Sequence, residues 1–210
     1  MPEANSLLLF MTATLMLNLT PGPDMLYVIA RSLSQGRAAG IVSALGIAAG
    51  CLVHMLAVAF GLAGLMVTVP LAYEVIKYTG AAYLVYLGIR QLASKREMTA
   101  AIEVAPDRLW AIFAQGVITN VLNPKVALFF LAFLPQFVWR PQSNLTVQIL
   151  LLGLLFNISG TLVNVLVVLI ASYGGERVKA SVKTAAVFRR LSGLVFIGLG
   201  LRLALLERRG

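Results

Sequence analysis

The chain alternates long apolar segments with short polar connections, a pattern that predicts membrane-spanning helices. Six segments are apolar almost throughout, at roughly 7–30, 41–67, 71–92, 110–138, 145–171 and 191–206. A helix needs about 20 apolar residues to cross the hydrocarbon core of a bilayer. The residues before the first segment include Glu3 and no Lys or Arg, unlike a cleavable signal, so this segment is expected to stay as a span.

Composition places the whole chain in the membrane. Of its 210 residues, 60% are hydrophobic and only 12% are charged, and the mean hydropathy is +0.90. Soluble domains carry about 25% charged residues. The sequence therefore predicts an all-α integral membrane protein with one transmembrane domain over 1–210 and six helices.

The basic residues set the expected orientation. The net charge is +9, and most Lys and Arg lie in the connections 31–40, 93–109 and 172–190. Placement between spans indicates topology control rather than nucleic-acid binding, because cytoplasmic loops are enriched in Lys and Arg. We expect these connections in the cytoplasm and the C-terminus outside. The N-terminus is expected outside too, unless the first segment is re-entrant.

The two halves of the chain resemble each other at an offset of 103 residues. Thr20-Pro21 aligns with Asn123-Pro124, Arg37 with Arg140, and His54 with Asn157. The pattern predicts a repeat at about 7–92 and another at about 110–206, joined by a cytoplasmic connection at about 93–109. Three spans per half would insert the second half inverted, as in many transporters. Chance matching of apolar sequence is the alternative.

The first helix of each repeat is interrupted by proline among polar residues. The interrupting residues of the two segments are Asn18, Thr20, Pro21, Gly22, Pro23 and Asp24, and Asn120, Asn123, Pro124 and Lys125. Proline has no N–H, so Pro21 would free the carbonyl of Leu17 and Pro124 that of Asn120. Unsatisfied backbone groups cost several kcal/mol in lipid, so these breaks are expected to line protein or a water-filled cavity.

The groups at the breaks suit a zwitterion. The N–H groups of the half-helix near Asp24 favour a carboxylate, and Asp24 with the freed carbonyls favours an ammonium group. Lys125 could pair with Asp24 or hold the substrate carboxylate, and Asp24 could carry a coupling proton. The alternative is that both breaks are packing kinks with a static Asp24–Lys125 ion pair.

Three further polar residues are weaker path-lining candidates, namely His54, Asn157 and Asn164. A lone membrane histidine is as often an interhelical hydrogen-bond donor. The pair Gly46-x-x-x-Gly50 indicates helix packing, with a homodimer face as one option. The segment 177–190 has the pattern of an amphipathic surface helix. No metal or nucleophile constellation appears, and no cofactor is expected.

Both interruptions resemble signatures of a known family. Asn18-x-Thr20-Pro21-Gly22-Pro23-Asp24 and Asn123-Pro124-Lys125, followed by Phe129-Phe130, are similar to motifs of the lysine-exporter and homoserine/threonine-efflux (LysE/RhtB) family. The resemblance covers essentially the whole chain. It implies an inner-membrane exporter of amino acids or close derivatives, driven by the proton gradient, and not an enzyme. An exporter of another small solute or a cation, and a non-transporting membrane assembly partner, are the alternatives.

Overall fold

The computed structural model describes residues 4–62, 70–93, 106–138, 144–174 and 182–205. Within these ranges the chain forms helices and no strands. The helices are α1 (Ala4–Leu19), α2 (Pro23–Ala57, continued by a π-helical turn Val58–Leu62), α3 (Pro70–Ala93), α4 (Leu109–Val121), α5 (Pro124–Leu128, continued by π and 3-10 turns to Phe137), α6 (Leu145–Gly174) and α7 (Val182–Leu205).

Two of the described helices are long and apolar enough to cross a bilayer by themselves. They cover Pro23–Gly61 and Leu145–Ser172. The pair α4 and α5 would make a third span, bent by 47°, and α1 is a shorter apolar helix. The protein is therefore an all-helical integral membrane protein, whereas the arrangement of six spans in two inverted repeats stays a prediction.

Both proline interruptions end one helix and begin another. Helix α1 stops at Leu19 and α2 starts at Pro23, with Gly22 as an extended N-cap. Helix α4 stops at Val121 and α5 starts at Pro124, with Asn123 as the N-cap. Proline is favoured at the first position of a helix because that position needs no N–H donor. The same residues that interrupt one helix therefore start the next.

The expected polar connection at 31–40 is instead part of α2. The helix continues through it and breaks its geometry only at Gly36, which has φ 81° and ψ −173°. Positive φ is readily reached by glycine alone. The last helix also begins earlier than expected, at Val182, so residues 182–190 continue into α7. The rest of the expected amphipathic segment, 177–181, lies outside the described residues.

Close packing joins α2 to α4 through small residues. A side chain on Gly46 would collide with the backbone carbonyl of Phe113, and one on Gly116 would lie 2.8 Å from that of Ser43. Helices approach this closely only where both lack a Cβ at the crossing. The face of Gly46 is thus filled within the chain. The predicted role of this glycine pair in helix packing is met inside the chain, and a homodimer remains only a prediction.

An aromatic cluster fills the core between α1, α5 and α6. Its buried members are Phe10, Phe129, Phe130, Phe133, Phe137 and Phe156. Phe129 and Phe156 are in contact, with ring centroids 4.8 Å apart. Since Phe156 also lines the polar cavity described below, this cluster forms one wall of the candidate site.

Candidate functional site

The carbonyls at the end of α1 bind the side chain of Lys125. Its Nζ atom donates hydrogen bonds of 3.1 Å to the carbonyl of Leu17 and 3.0 Å to that of Thr20. The proline break frees the carbonyl of Leu17 from the usual helical partner, so a donor from another helix satisfies it. Lys125 therefore connects the second break to the first.

The break between α4 and α5 is held in a similar way. The carbonyl of Asn120 lies 3.0 Å from Nε2 of His54. Because a carbonyl only accepts, Nε2 must carry the proton in this contact. The side chain of Asn123 accepts a 3.0 Å hydrogen bond from the backbone N–H of Lys125 and so caps α5. The carbonyls of Leu17 and Asn120, which Pro21 and Pro124 were predicted to free, thus each have a side-chain donor.

Asp24 is buried beside both breaks. Its Oδ2 atom accepts a 2.9 Å hydrogen bond from the side-chain amide of Asn120, whereas Oδ1 has no hydrogen-bond partner among the described residues. A buried carboxylate oxygen without a partner is costly. The ammonium of Lys125 is bound to carbonyls instead of this carboxylate. Asp24 thus keeps one oxygen for another group.

A small polar cavity lies among these residues. Its lining comprises Asn18, Asp24, Met25, Ile47, Ala48, Cys51, Asn120, Lys125, Val126, Phe156, Asn157, Gly160, Thr161 and Asn164. The open space is about 30 Å³, which suits a water molecule or two rather than an amino acid. Binding of a larger solute would require the surrounding helices to move apart.

The structure brings some of the predicted site residues to the cavity and places the others at the breaks beside it. Asn18, Asp24, Asn120, Lys125, Asn157 and Asn164 line the cavity. Pro21, Pro23 and Pro124 are exposed and Asn123 is a buried cap, so their contribution is to shape the breaks. Thr20 offers its carbonyl, and Gly22 lies against Lys125.

The polar side chains on the cavity wall are themselves anchored. Asn18 donates a 3.1 Å hydrogen bond to the hydroxyl of Ser159, and Asn157 donates one of 3.2 Å to the carbonyl of Ala48. His54 lies behind Asn120 and not on the wall. Of the three weaker candidates, the structure thus brings Asn157 and Asn164 to the cavity. Within the described ranges, no three His, Cys, Asp or Glu residues form a metal-binding group.

Sequence reasoning missed a second polar cluster. It contains Arg31 and Gln35 from α2, Gln115 from α4, and Asp107, which precedes α4. Arg31 was assigned to a cytoplasmic connection, yet it is 2% exposed and lies 2.8 Å from the carboxylate of Asp107. Its position seven residues after Asp24 on the same helix was the available signal, since that spacing places both on one face.

A polar cavity between broken helices, lined by one acidic and one basic side chain, is typical of the substrate site of a secondary transporter. The chain belongs to the LysE type translocator family, whose profile matches residues 15–207. It is therefore a multi-pass membrane transporter and not a soluble protein.

Known relatives cover nearly the whole chain. The chain is 29% identical to an uncharacterized membrane protein, YrhP, of Bacillus subtilis, over 96% of this chain and 99% of that protein. It is 29% identical to proteins named leucine efflux protein in Salmonella choleraesuis and Salmonella typhimurium, over 94% of each chain. No solved structure matches it.

Proposed function

We propose that this protein exports a neutral amino acid from the cytoplasm across the inner membrane, driven by the proton gradient. The observation that carries the proposal is that Asp24 and Lys125 both line one cavity at the junction of two broken helices. Ionisable groups at membrane depth are expensive and usually functional. The family and the names of the Salmonella relatives support amino-acid export.

The cavity offers a partner for each charge of an amino acid. The free oxygen of Asp24 suits the ammonium group. Lys125 and the N-terminal N–H groups of α2, which begins at Pro23, suit the carboxylate, because the positive end of the helix dipole lies there. Lys125 has used two of its three N–H donors on backbone carbonyls. The third can bind the substrate without loss of the other two.

The remaining walls favour an uncharged side chain. Met25, Ile47, Val126 and Phe156 are apolar, and Asp24 is the one carboxylate on the lining that the structure describes. A lysine substrate would bring a second positive charge with no second acidic partner there, and burial of an unpaired charge is costly. Leucine and threonine are therefore better candidates than lysine.

Asp24 is also the candidate carrier of the coupling proton. It can alternate between ammonium-bound and protonated forms, so that the substrate and the proton exclude each other. This exclusion gives exchange of an amino acid for a proton.

We further propose cytoplasmic placement of the connection 93–109, with both chain termini outside.

The inverted-repeat architecture is supported by matched packing. Helix α2 packs on α4, and α1 packs on α6. If the second half of α2 and the first half of α6 are equivalent, these two contacts between the halves are related to each other by the pseudo-two-fold symmetry. Helix α3 packs on α7, the third helix of the other proposed half. Reporter fusions in the connections 93–109 and 175–181 would test the orientation.

Efflux from proteoliposomes tests the function. Vesicles loaded with labelled leucine, threonine, homoserine or lysine should release a neutral amino acid when the outside is made acidic. Asp24→Asn and Lys125→Ala should each abolish release, while Thr12→Ala, on an exposed position of α1, should not. Absence of efflux of every amino acid from the unmodified protein would overturn the proposal. Full transport in both site variants would instead assign the breaks to packing.

A further inference from the structure

A buried guanidinium lies two helical turns beyond the cavity along α2. Arg31 follows Asp24 by seven residues, which is about 10 Å along the axis and on the same face. Its Nη1 atom donates a 2.8 Å hydrogen bond to Gln35, and Nη2 donates to Asp107 at 2.8 Å and to Gln115 at 2.6 Å. Arginine is almost never fully buried unless it is paired.

Two donors from different helices converge on one carboxylate oxygen. Oδ2 of Asp107 accepts from Nη2 of Arg31 and, at 3.1 Å, from the side-chain amide of Gln115. The hydrogen bond from Arg31 and that from Gln115 hold the pKa of Asp107 below its usual range, so the carboxylate is charged. Charge-assisted bonds of this kind are the strong ones in proteins. Arg31 and Gln115 thus form a cradle for a carboxylate.

The donors of this cradle and the Asp107 side chain that occupies it differ in how deeply they are buried. Arg31 is 2% exposed and the Asp107 side chain is 39% exposed. The hydroxyl of Tyr27 donates to the carbonyl of Ile112 at 2.7 Å, which fastens α2 to α4 beside the cradle independently of Asp107. Asp107 precedes α4 and belongs to the connecting segment. Its backbone N–H and carbonyl are hydrogen-bonded to the side chain of Gln35, at 3.1 and 2.9 Å. The carboxylate of Asp107 is therefore the part that can rotate away while the donors stay.

We propose that Arg31 and Gln115 form a second carboxylate site, at which the substrate's carboxylate displaces that of Asp107 on its way to the cavity. The proposal rests on amino-acid transport as the function. Loss of the Asp107 carboxylate alone would take a charged partner from the buried guanidinium of Arg31, which is unfavourable. An incoming carboxylate removes that penalty, whereas an amine without a carboxylate cannot. The site would therefore admit amino acids in preference to amines.

Transport kinetics distinguish a carboxylate-binding site from a latch, meaning an Arg31–Asp107 ion pair that only holds the helices together. Leucine uptake is measured in inside-out vesicles, where the cytoplasmic face is outward. Asp107→Asn weakens the internal competitor, so the apparent KM should fall, by about tenfold if one charge-assisted hydrogen bond is at stake. Arg31→Gln removes the site, so KM should rise. A latch predicts a change in the same direction for both variants, and that result would overturn the proposal. Arg31→Lys, which keeps the charge, should give an intermediate KM if Arg31→Gln fails to fold.

The only cysteine of the chain provides a second readout that needs no transport. Cys51 is buried and lines the cavity, so its alkylation by an impermeant maleimide reports access from the cytoplasmic face. Acetate should accelerate alkylation of the unmodified protein, and acetamide and chloride at equal pH and ionic strength should not. Arg31→Gln should abolish the response, and Cys51→Ser provides the blank.

Equal rates with acetate, acetamide and chloride would overturn the carboxylate site. An acetate response in a protein that exports no amino acid would support the site and refute the proposed function.

Discussion

Lys125 donates a 3.0 Å hydrogen bond from its Nζ atom to the backbone carbonyl of Thr20, and so bridges the two broken helices. A cation from one half thereby occupies the carbonyl end of a helix in the other, where the helix dipole is negative. The bond also points Lys125 at the residue that follows the break, Gly22. Its Cα faces the ammonium so closely that an added Cβ would lie 3.2 Å from Nζ.

Gly22→Ala should therefore reduce export and leave the fold intact. The backbone of Gly22 is extended, with φ −159° and ψ −175°, so any residue can adopt it and the effect comes from the Cβ alone. The displaced ammonium should lose part of its bond to Thr20, and efflux should drop by about tenfold. Gly198→Ala is the matched control, since a Cβ there meets nothing within 4 Å. Unchanged efflux in Gly22→Ala would show that the position of Lys125 is not critical.

His54 should act through Asn120 as a positioning residue. His54→Ala removes the donor to the Asn120 carbonyl and leaves a backbone group unsatisfied inside the membrane. The amide that binds Asp24 then shifts, so efflux should fall. His54→Gln restores a donor and should recover most of the rate, a rescue that a pure loss of volume would not give. Efflux rates of the two variants at equal membrane content make the comparison.

Gly50 should be critical for the crossing of α2 and α4. A Cβ at this position would lie 2.7 Å from the carbonyl of Val117 and 2.8 Å from Cβ of Asn120. Gly→Ala in a helix normally stabilises by about 0.5–1 kcal/mol, but overpacking of this kind costs about 1–3 kcal/mol. Gly50→Ala should thus lower the free energy of unfolding, measured by thermal unfolding in detergent, whereas Gly198→Ala should not. Equal or greater stability of Gly50→Ala would mean that the helices can separate without cost.

The ion pair of Arg31 and Asp107 should make stability depend on pH in the acid range. The folded protein lowers the pKa of Asp107 below its ordinary value of 3.8. The unfolded state therefore binds the proton more readily as the pH falls. The stability that this ion pair contributes is fully present above the ordinary pKa and is lost as the pH drops through the lowered pKa. The free energies of unfolding of the unmodified protein and of Asp107→Asn should differ at pH 6 and converge in acid. A constant difference across that range would contradict the pairing.

Hydrophobicity alone was sufficient for the membrane assignment, and the prolines located the breaks. Pro21 and Pro124 lack an N–H wherever the chain folds, so the interruptions are a local property. The bounds of α3 and α6 also follow from apolar segments bordered by polar residues. The extent of α2 does not follow from this pattern. The helix resumes after Gly36, although the polar segment around that residue is predicted as a loop.

The partners of the polar residues depended on the tertiary structure. Sequence analysis left open whether Lys125 binds Asp24, and packing settles it in favour of the carbonyls of Leu17 and Thr20 in this conformation. Likewise nothing local marks Gln115 as the neighbour of Arg31, 84 positions away.

The residues alone were enough to predict a membrane protein with two broken helices and few, concentrated charges. These properties follow from transfer free energy and backbone chemistry, which each residue carries along in any fold. The packed fold was needed to show that Asp24 and Lys125 line one cavity while Arg31 binds Asp107. Such pairings are set by the crossing of helices, and the crossing depends on how all the side chains pack together.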